Sequence, residues 1–170
     1  MLASDKLIDA LNIQVGAELG ASHQYTTIAS YFDRENLPEL SRFFFRQAAE
    51  ERDHAMKFVG FVNDVEGIVR IPEIPAPKPE FSSAEEAVSL SLDWEKEVTQ
   101  QIYGLVDIAR AESNHIALRS LDWFVTEQLE EVSTMSTLLG VVRRAGENGL
   151  LNVENYLSRE QGGGGADAAP

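Results

Sequence analysis

One helical face in this chain is apolar except at its middle, where it carries a carboxylate and an imidazole. Counted by sevens, Phe44, Glu51, Phe58 and Val65 fall on one stripe, and Leu40, Gln47, His54 and Phe61 fall on its neighbour. Side chains three and four apart share a helix face. Within Ala49-Glu50-Glu51-Arg52-Asp53-His54-Ala55, Glu51 and His54 therefore point the same way, inward among phenylalanines. Burying two such groups is costly unless something charged compensates them. Glu-x-x-His offers one oxygen and one nitrogen from adjacent turns, and a metal ion is the partner that pattern calls for.

The rest of the chain repeats this theme in an all-α pattern. From Asp5 to about Asp33 the apolar positions run Leu7, Leu11, Val15, Ile28 and Phe32, and the stripe through Leu11 places Glu18 and Tyr25 inward. Arg34-Glu35-Asn36-Leu37 breaks the pattern, and Pro38 suits a first helical position, where its missing amide hydrogen costs nothing. The second helix is expected to stop near Gly67. Pro72, Pro75, Pro77 and Pro79 then forbid a helix and favour extended backbone. At roughly 3 Å per residue such a segment is long enough to run the length of a bundle. Ser83-Ala84-Glu85-Glu86 has the spacing of a capping box and opens a third helix, whose inward stripe reads Val88, Glu95, Ile102, Ala109. After a tight turn at Glu112-Ser113-Asn114-His115, a fourth helix carries Leu121, Gln128, Met135, Val142 beside Phe124, Glu131, Leu138. Gly146 and Gly149 end it. A short fifth helix over Leu150 to about Arg159 is expected, with Leu151, Val153, Tyr156 and Leu157 as its apolar residues, followed by a Gly/Ala-rich tail from 161 to 170. Short, long, short connections imply two antiparallel hairpins joined by one crossover, in one domain over 1–160.

Each of four helices thus carries polar groups at mid-length of an apolar stripe: Glu18; Glu51 with His54; Glu95; and Gln128 with Glu131. Antiparallel packing brings them to one level. A single inward glutamate is usually a boundary position, but six such groups at one depth make a site. Without cations the carboxylates would repel one another and take up protons. Hard oxygen ligands with one imidazole suit iron or manganese, and zinc less specifically, and inward Glu and Glu-x-x-His on bundle helices is the di-metal carboxylate arrangement. The second Glu-x-x-His is replaced by Gln128-x-x-Glu131, so one metal position lacks a histidine and is expected to hold its ion more loosely. Glu51 is the natural bridging carboxylate.

Composition narrows the partners. The chain of 170 residues has a net charge of −14 and no cysteine, which removes disulfides, thiolate metal sites and a cysteine nucleophile. An excess of acid argues against nucleic acid or an anionic membrane as the main partner. The N-terminal residues lack a signal-peptide pattern, and a cytoplasmic location is expected.

With these residues in view the chain resembles the non-haem bacterial ferritins, most of all those of actinobacteria, over roughly residues 5 to 160. The resemblance rests on Glu18, Tyr25, the run 49–55, Glu95, and Trp123-Phe124-Val125-Thr126-Glu127-Gln128-Leu129-Glu130-Glu131-Val132. It implies a first iron at Glu18, Glu51 and His54, a second at Glu51, Glu95 and Glu131, and in some members a third near Glu50, Glu127 and Glu130. Tyr25 and Trp123 would lie beside the centre as electron donors. A ferritin-like bundle, oxidation of Fe(II) by O2 or H2O2, and a hollow shell of 24 subunits storing ferric mineral also follow from the resemblance. In the haem-binding relatives a methionine follows the bridging glutamate; here that place is Arg52, Met56 and Met135 read as core fillers, and no haem is expected.

Other residues carry less. His115 with Glu112 and Asn114 falls where family members line pores, against a default of a solvated turn. His23 reads as a surface or contact residue, and Trp94 as packing. Two other functions fit the aligned acids: a di-iron oxidase or peroxidase acting on a small substrate, and a bundle that binds structural metal only.

Overall fold

The computed structural model describes residues 2–163. The helices are α1 Asp5–Arg34, α2 Pro38–Asp64, α3 Ala84–Ala111, α4 His115–Ala145 and α5 Leu150–Gly163, with a 3-10 turn Glu147–Gly149 before α5. Among the described residues no helix is long and apolar enough to cross a membrane.

Local sequence sets the breaks. Ser4, Ser83 and Asn114 each accept a backbone N–H from the first turn that follows, at 3.0–3.1 Å. Asn36, Glu66 and Ser113 adopt positive φ just past α1, α2 and α3. The next amide then bonds back five residues in each case: Leu37 to Phe32, Gly67 to Val62, Asn114 to Ala109. The stop expected near Gly67, after about Asp64 or Glu66, is made by Glu66, and α2 ends at Asp64. The capping box is half formed: Ser83 caps α3, but the Glu86 carboxylate accepts from Ser82 N and Oγ at 2.7 Å and pairs with Lys78. The crossover lysine draws it away from Ser83.

The C-terminal half of α1 packs with the N-terminal halves of α2 and α3 and the C-terminal half of α4. Helices α2 and α3 therefore run the same way, which requires a crossover as long as the bundle. The crossover is held along α1 by side chains. Asn12 donates to Ile68 O and accepts from Arg70 N, both at 2.9 Å, and the Pro72 ring lies on Gly16, where a β-carbon would collide with it. Gln24 clamps Lys78 by its N–H (2.8 Å) and its carbonyl (3.0 Å).

Helix α5 lies beside α2 and α4. Val153 and Leu157 are buried as expected, whereas Leu151 is 71% exposed and points outward, because only one face of α5 meets the bundle. The helix continues past Arg159 to Gly163; the rest of the expected tail, 164–170, lies outside the described residues. Pro38 and Leu37 give α2 no side-chain cap, and Glu154 of α5 supplies one, accepting from Glu39 N at 2.8 Å and Leu40 N at 2.9 Å. A buried carboxylate at a helix N-terminus also meets the positive end of the helix dipole. Glu154→Ala is expected to lower unfolding stability by about 1–2 kcal/mol, with faster amide exchange at Glu39 and Leu40 and a smaller loss in Glu154→Gln. Unchanged exchange at those two amides would contradict the cap.

Candidate metal centre

Two apolar clusters fill the bundle, and a polar layer separates them. On one side lie Ala21, Tyr25, Ala48, Leu92 and Met135; on the other lie Val15, Ala55, Val98 and Phe124. In each helix the inward polar residue falls between the two sets: Glu18 in α1, Glu51 and His54 in α2, Glu95 in α3, and Gln128 and Glu131 in α4. All six are buried, none more than 4% exposed. Trp94 packs against both clusters, in keeping with a structural role.

The layer closes into linked triads. Ligand atoms of Glu18, Glu51 and His54 lie within 4.8 Å of one another, as do those of Glu51, Glu95 and Glu131. Glu51 is common to both. Neutral donors engage one oxygen of each of the other carboxylates. Gln14 Nε2 donates to Glu18 Oε1 at 2.9 Å, the Tyr25 hydroxyl donates to Glu95 Oε1, and Gln47 Nε2 donates to Glu131 Oε2 at 3.2 Å. Left without a hydrogen-bond partner are Glu18 Oε2, Glu95 Oε2 and both oxygens of Glu51. Gln128 belongs to the layer, with its amide oxygen accepting from Thr99 Oγ1 at 2.9 Å. Gln14 and Gln47 are functional neighbours that spacing alone did not single out, although Gln14 stands one turn before Glu18.

Burial and mutual repulsion dominate the electrostatics. Glu18 and Glu51 are pushed well above the ordinary carboxylate range, first by burial and then by a neighbouring carboxylate: Glu51 for Glu18, Glu95 for Glu51. Burial raises Glu95 to about 7 against the Tyr25 hydrogen bond, and raises Glu131 to about 8 with help from Glu95. The Tyr25 phenol is itself raised, by burial and then by Glu95, so it stays protonated and donates. Unpartnered buried oxygens with an affinity for positive charge are the condition under which a cation fits. Four carboxylates and one imidazole are a donor set that suits iron or manganese, and zinc less specifically.

The outer acids Glu50, Glu127 and Glu130 all act on Glu131 but differ in exposure. Glu127 is half-buried, with Oε1 3.8 Å from His54 Nε2, and forms a third close group with His54 and Glu131. Glu50 is exposed and accepts from Gln47 Nε2 at 2.6 Å; Glu130 is exposed and belongs to none of the three groups. The Trp123 ring meets the His54 ring at 5.4 Å, edge to face, under the ammonium of Lys57. Arg52 is exposed. Met135 fills the core as expected, but Met56 does not: two positions after His54 it has turned off the inward face and is 40% exposed. His23 is exposed. His115 is exposed at the start of α4, while Glu112 accepts from Ser4 Oγ at 2.6 Å and Asn114 donates to Leu2 O at 2.9 Å, so both tie down the N-terminal segment.

Known proteins resemble this chain in sequence and fold. Residues 8–145 match the Ferritin-like domain family. Ferritin BfrB of Mycolicibacterium smegmatis is 42% identical over 154 residues, 91% of this chain and 84% of that one. The bacterial non-heme ferritin of Staphylococcus aureus is 37% identical over 147 residues, 86% and 89% of the two chains. Among solved structures, an open pore ferritin from the hyperthermophilic archaeon Archaeoglobus fulgidus superposes with a TM-score of 0.89 at 33% identity, over 92% of this chain and 97% of that one. With its bundle, its single crossover and this buried carboxylate layer, the chain belongs to the ferritin family.

Proposed function

We propose that the protein is a ferroxidase that stores iron. It takes up Fe2+, oxidises it at the buried carboxylate layer and passes the ferric product to a mineral inside a shell of 24 subunits. The observation that carries this reading is the set of unpartnered carboxylate oxygens facing one another between two apolar clusters. Glu51, with both oxygens free, would bridge two irons. Glu18 and His54 would complete the first position, and Glu95 and Glu131 the second. Four carboxylates balance the charge of two Fe2+ ions. Loss of one electron from each iron to O2, or to H2O2, breaks that balance and requires oxide or hydroxide to restore it, which favours release of a hydrolysed ferric product. The second position, with oxygen ligands only, suits an ion in transit.

Tyr25 is the proposed redox assistant, since its hydroxyl is bonded to Glu95. In Tyr25→Phe, Fe2+ binding is expected to stay within about threefold of wild type, because a carboxylate ligand outweighs one neutral hydrogen bond. The time course of oxidation would change. A Tyr25→Phe protein with unaltered oxidation kinetics would leave the tyrosine a purely structural donor. Arg52, exposed beside Glu51, supports a haem-free centre, and a supply of Fe2+ points to a reducing, cytoplasmic compartment.

The deciding experiment follows oxidation of Fe2+ by the metal-free protein at rising iron per subunit, alongside its native mass. A rapid phase saturating near two irons, matching the two triads, then slow uptake of many more by a large assembly, is the expected result. Uptake that ends at two irons would remove storage and leave a di-iron oxidase or a structural metal site.

A further inference from the structure

Lys57 stands one turn after His54 on α2 and reaches across to α4, where its Nζ lies 4.0 Å from the centre of the Trp123 ring. That ring also meets His54 at 5.4 Å and Phe124 at 4.9 Å, edge to face in both cases, and is 39% exposed. Among the described residues no ion pair involves Lys57, so its ammonium faces the indole rather than a carboxylate. Indole is among the most easily oxidised side chains, and here it abuts a histidine of the buried layer and is open to solvent. Removing one electron from it makes a radical cation. A fixed ammonium is attracted to the face of the neutral ring and repelled by that radical cation.

We infer that Lys57 sets the oxidation threshold of Trp123: its ammonium, over the face of the ring, makes the indole beside His54 yield an electron only to a stronger oxidant. The chain contains its own reference. Trp94, the other of its two tryptophans, packs against both apolar clusters, and among the described residues no cation lies over its ring. Trp123 is the more exposed of the pair, and exposure alone would make it the first to be oxidised; the ammonium opposes this. Two unit charges about 4 Å apart in water already shift an equilibrium by about fivefold, and partial burial of the ring raises that factor. The bearing of this threshold on iron oxidation rests on the buried layer being a metal centre; the effect of the charge on the ring does not.

The test is photo-oxidation of the metal-free protein by riboflavin, a neutral molecule whose excited state takes one electron, in wild type, Lys57→Met and Lys57→Arg. The indole radical cation passes its N–H proton to water, dissolved O2 adds to the neutral radical, and peptide mass spectrometry gives the oxygenated product at Trp123 relative to that at Trp94. Lys57 is on a helix surface, so the variants should fold; a wild-type far-ultraviolet spectrum checks this. Methionine keeps most of the side-chain length without the charge, and arginine keeps the charge. Expected is a ratio of Trp123 to Trp94 product raised about fivefold or more in Lys57→Met and within about twofold of wild type in Lys57→Arg. A wild-type ratio in Lys57→Met would overturn the inference, because the charge would then not govern the ring. A rise of equal size in Lys57→Arg would overturn it too, as would a rise in Lys57→Met matched by an equal gain in acrylamide quenching of tryptophan fluorescence; either would make Lys57 a steric cover. With no metal present, failure here leaves the metal centre standing, and a protein that does not oxidise Fe2+ leaves the threshold standing.

Discussion

Glu51→Ala is expected to abolish the rapid phase of Fe2+ oxidation, slowing it at least about 100-fold, beyond the loss typical of removing an outer hydrogen-bond partner. Glu51 is the only residue common to the triad with Glu18 and His54 and the triad with Glu95 and Glu131, and both its oxygens are buried without a partner. Its removal takes one ligand from each position and one negative charge from the layer. The neighbouring Gln14, Tyr25 and Gln47 already engage the other carboxylates and bring no carboxylate of their own. Removing only the charge at this position has an opposite effect on the empty protein. Glu51 is pushed well above the carboxylate range by burial and by Glu95, so the isosteric Glu51→Gln removes repulsion and should raise the unfolding midpoint of the metal-free protein at neutral pH. Function and stability would then move in opposite directions, as at sites held in strain for activity. Stopped-flow oxidation and denaturation of the same two variants check both halves. Wild-type oxidation by Glu51→Ala would end the site assignment.

The inward polar set was legible in the sequence because the apolar stripes are long and regular. When Leu11, Val15, Tyr25 and Phe32 define a face, Glu18 on that face has nowhere else to point. The same logic holds for Glu51 and His54 between Phe44 and Phe58, and for Glu95 between Val88 and Ile102. The crossover was legible through proline, which limits the backbone whatever surrounds it. Contacts between segments far apart in the chain were not legible. Glu154 caps a helix that begins more than a hundred residues earlier, and Asn12 and Gln24 grip a linker whose path no local spacing encodes. Gln47 shares an inward stripe with His54, yet a lone inward amide announces no chemistry until Glu131 and Glu50 are seen at its nitrogen. Met56 and Leu151 show the opposite error: being apolar says little about a residue that lies off the buried face.

The metal-free protein should lose stability as pH rises from about 5 to about 8, the reverse of the usual behaviour of paired carboxylates. In the unfolded chain a glutamate gives up its proton near 4.5, whereas in the folded protein Glu95 keeps it to about 7 and Glu131 to about 8. Between those values the folded state binds more protons than the unfolded state, so stability falls with pH. It is fully present below the unfolded value and lost by the time the folded groups ionise. Divalent cations reverse the trend by taking the place of the protons. Their stabilisation should grow with pH across the same window, and their binding should release protons to the buffer. Denaturant midpoints at about pH 5, 6.5 and 8, with chelator and with excess Co2+, measure both trends. A metal-free protein that gained stability up to pH 8 would mean that the carboxylates ionise freely and that the layer is not primed for cations. The expected outcome instead ties the fold to its proposed function: the repulsion that weakens the empty bundle at neutral pH would be the driving force with which it takes up cations.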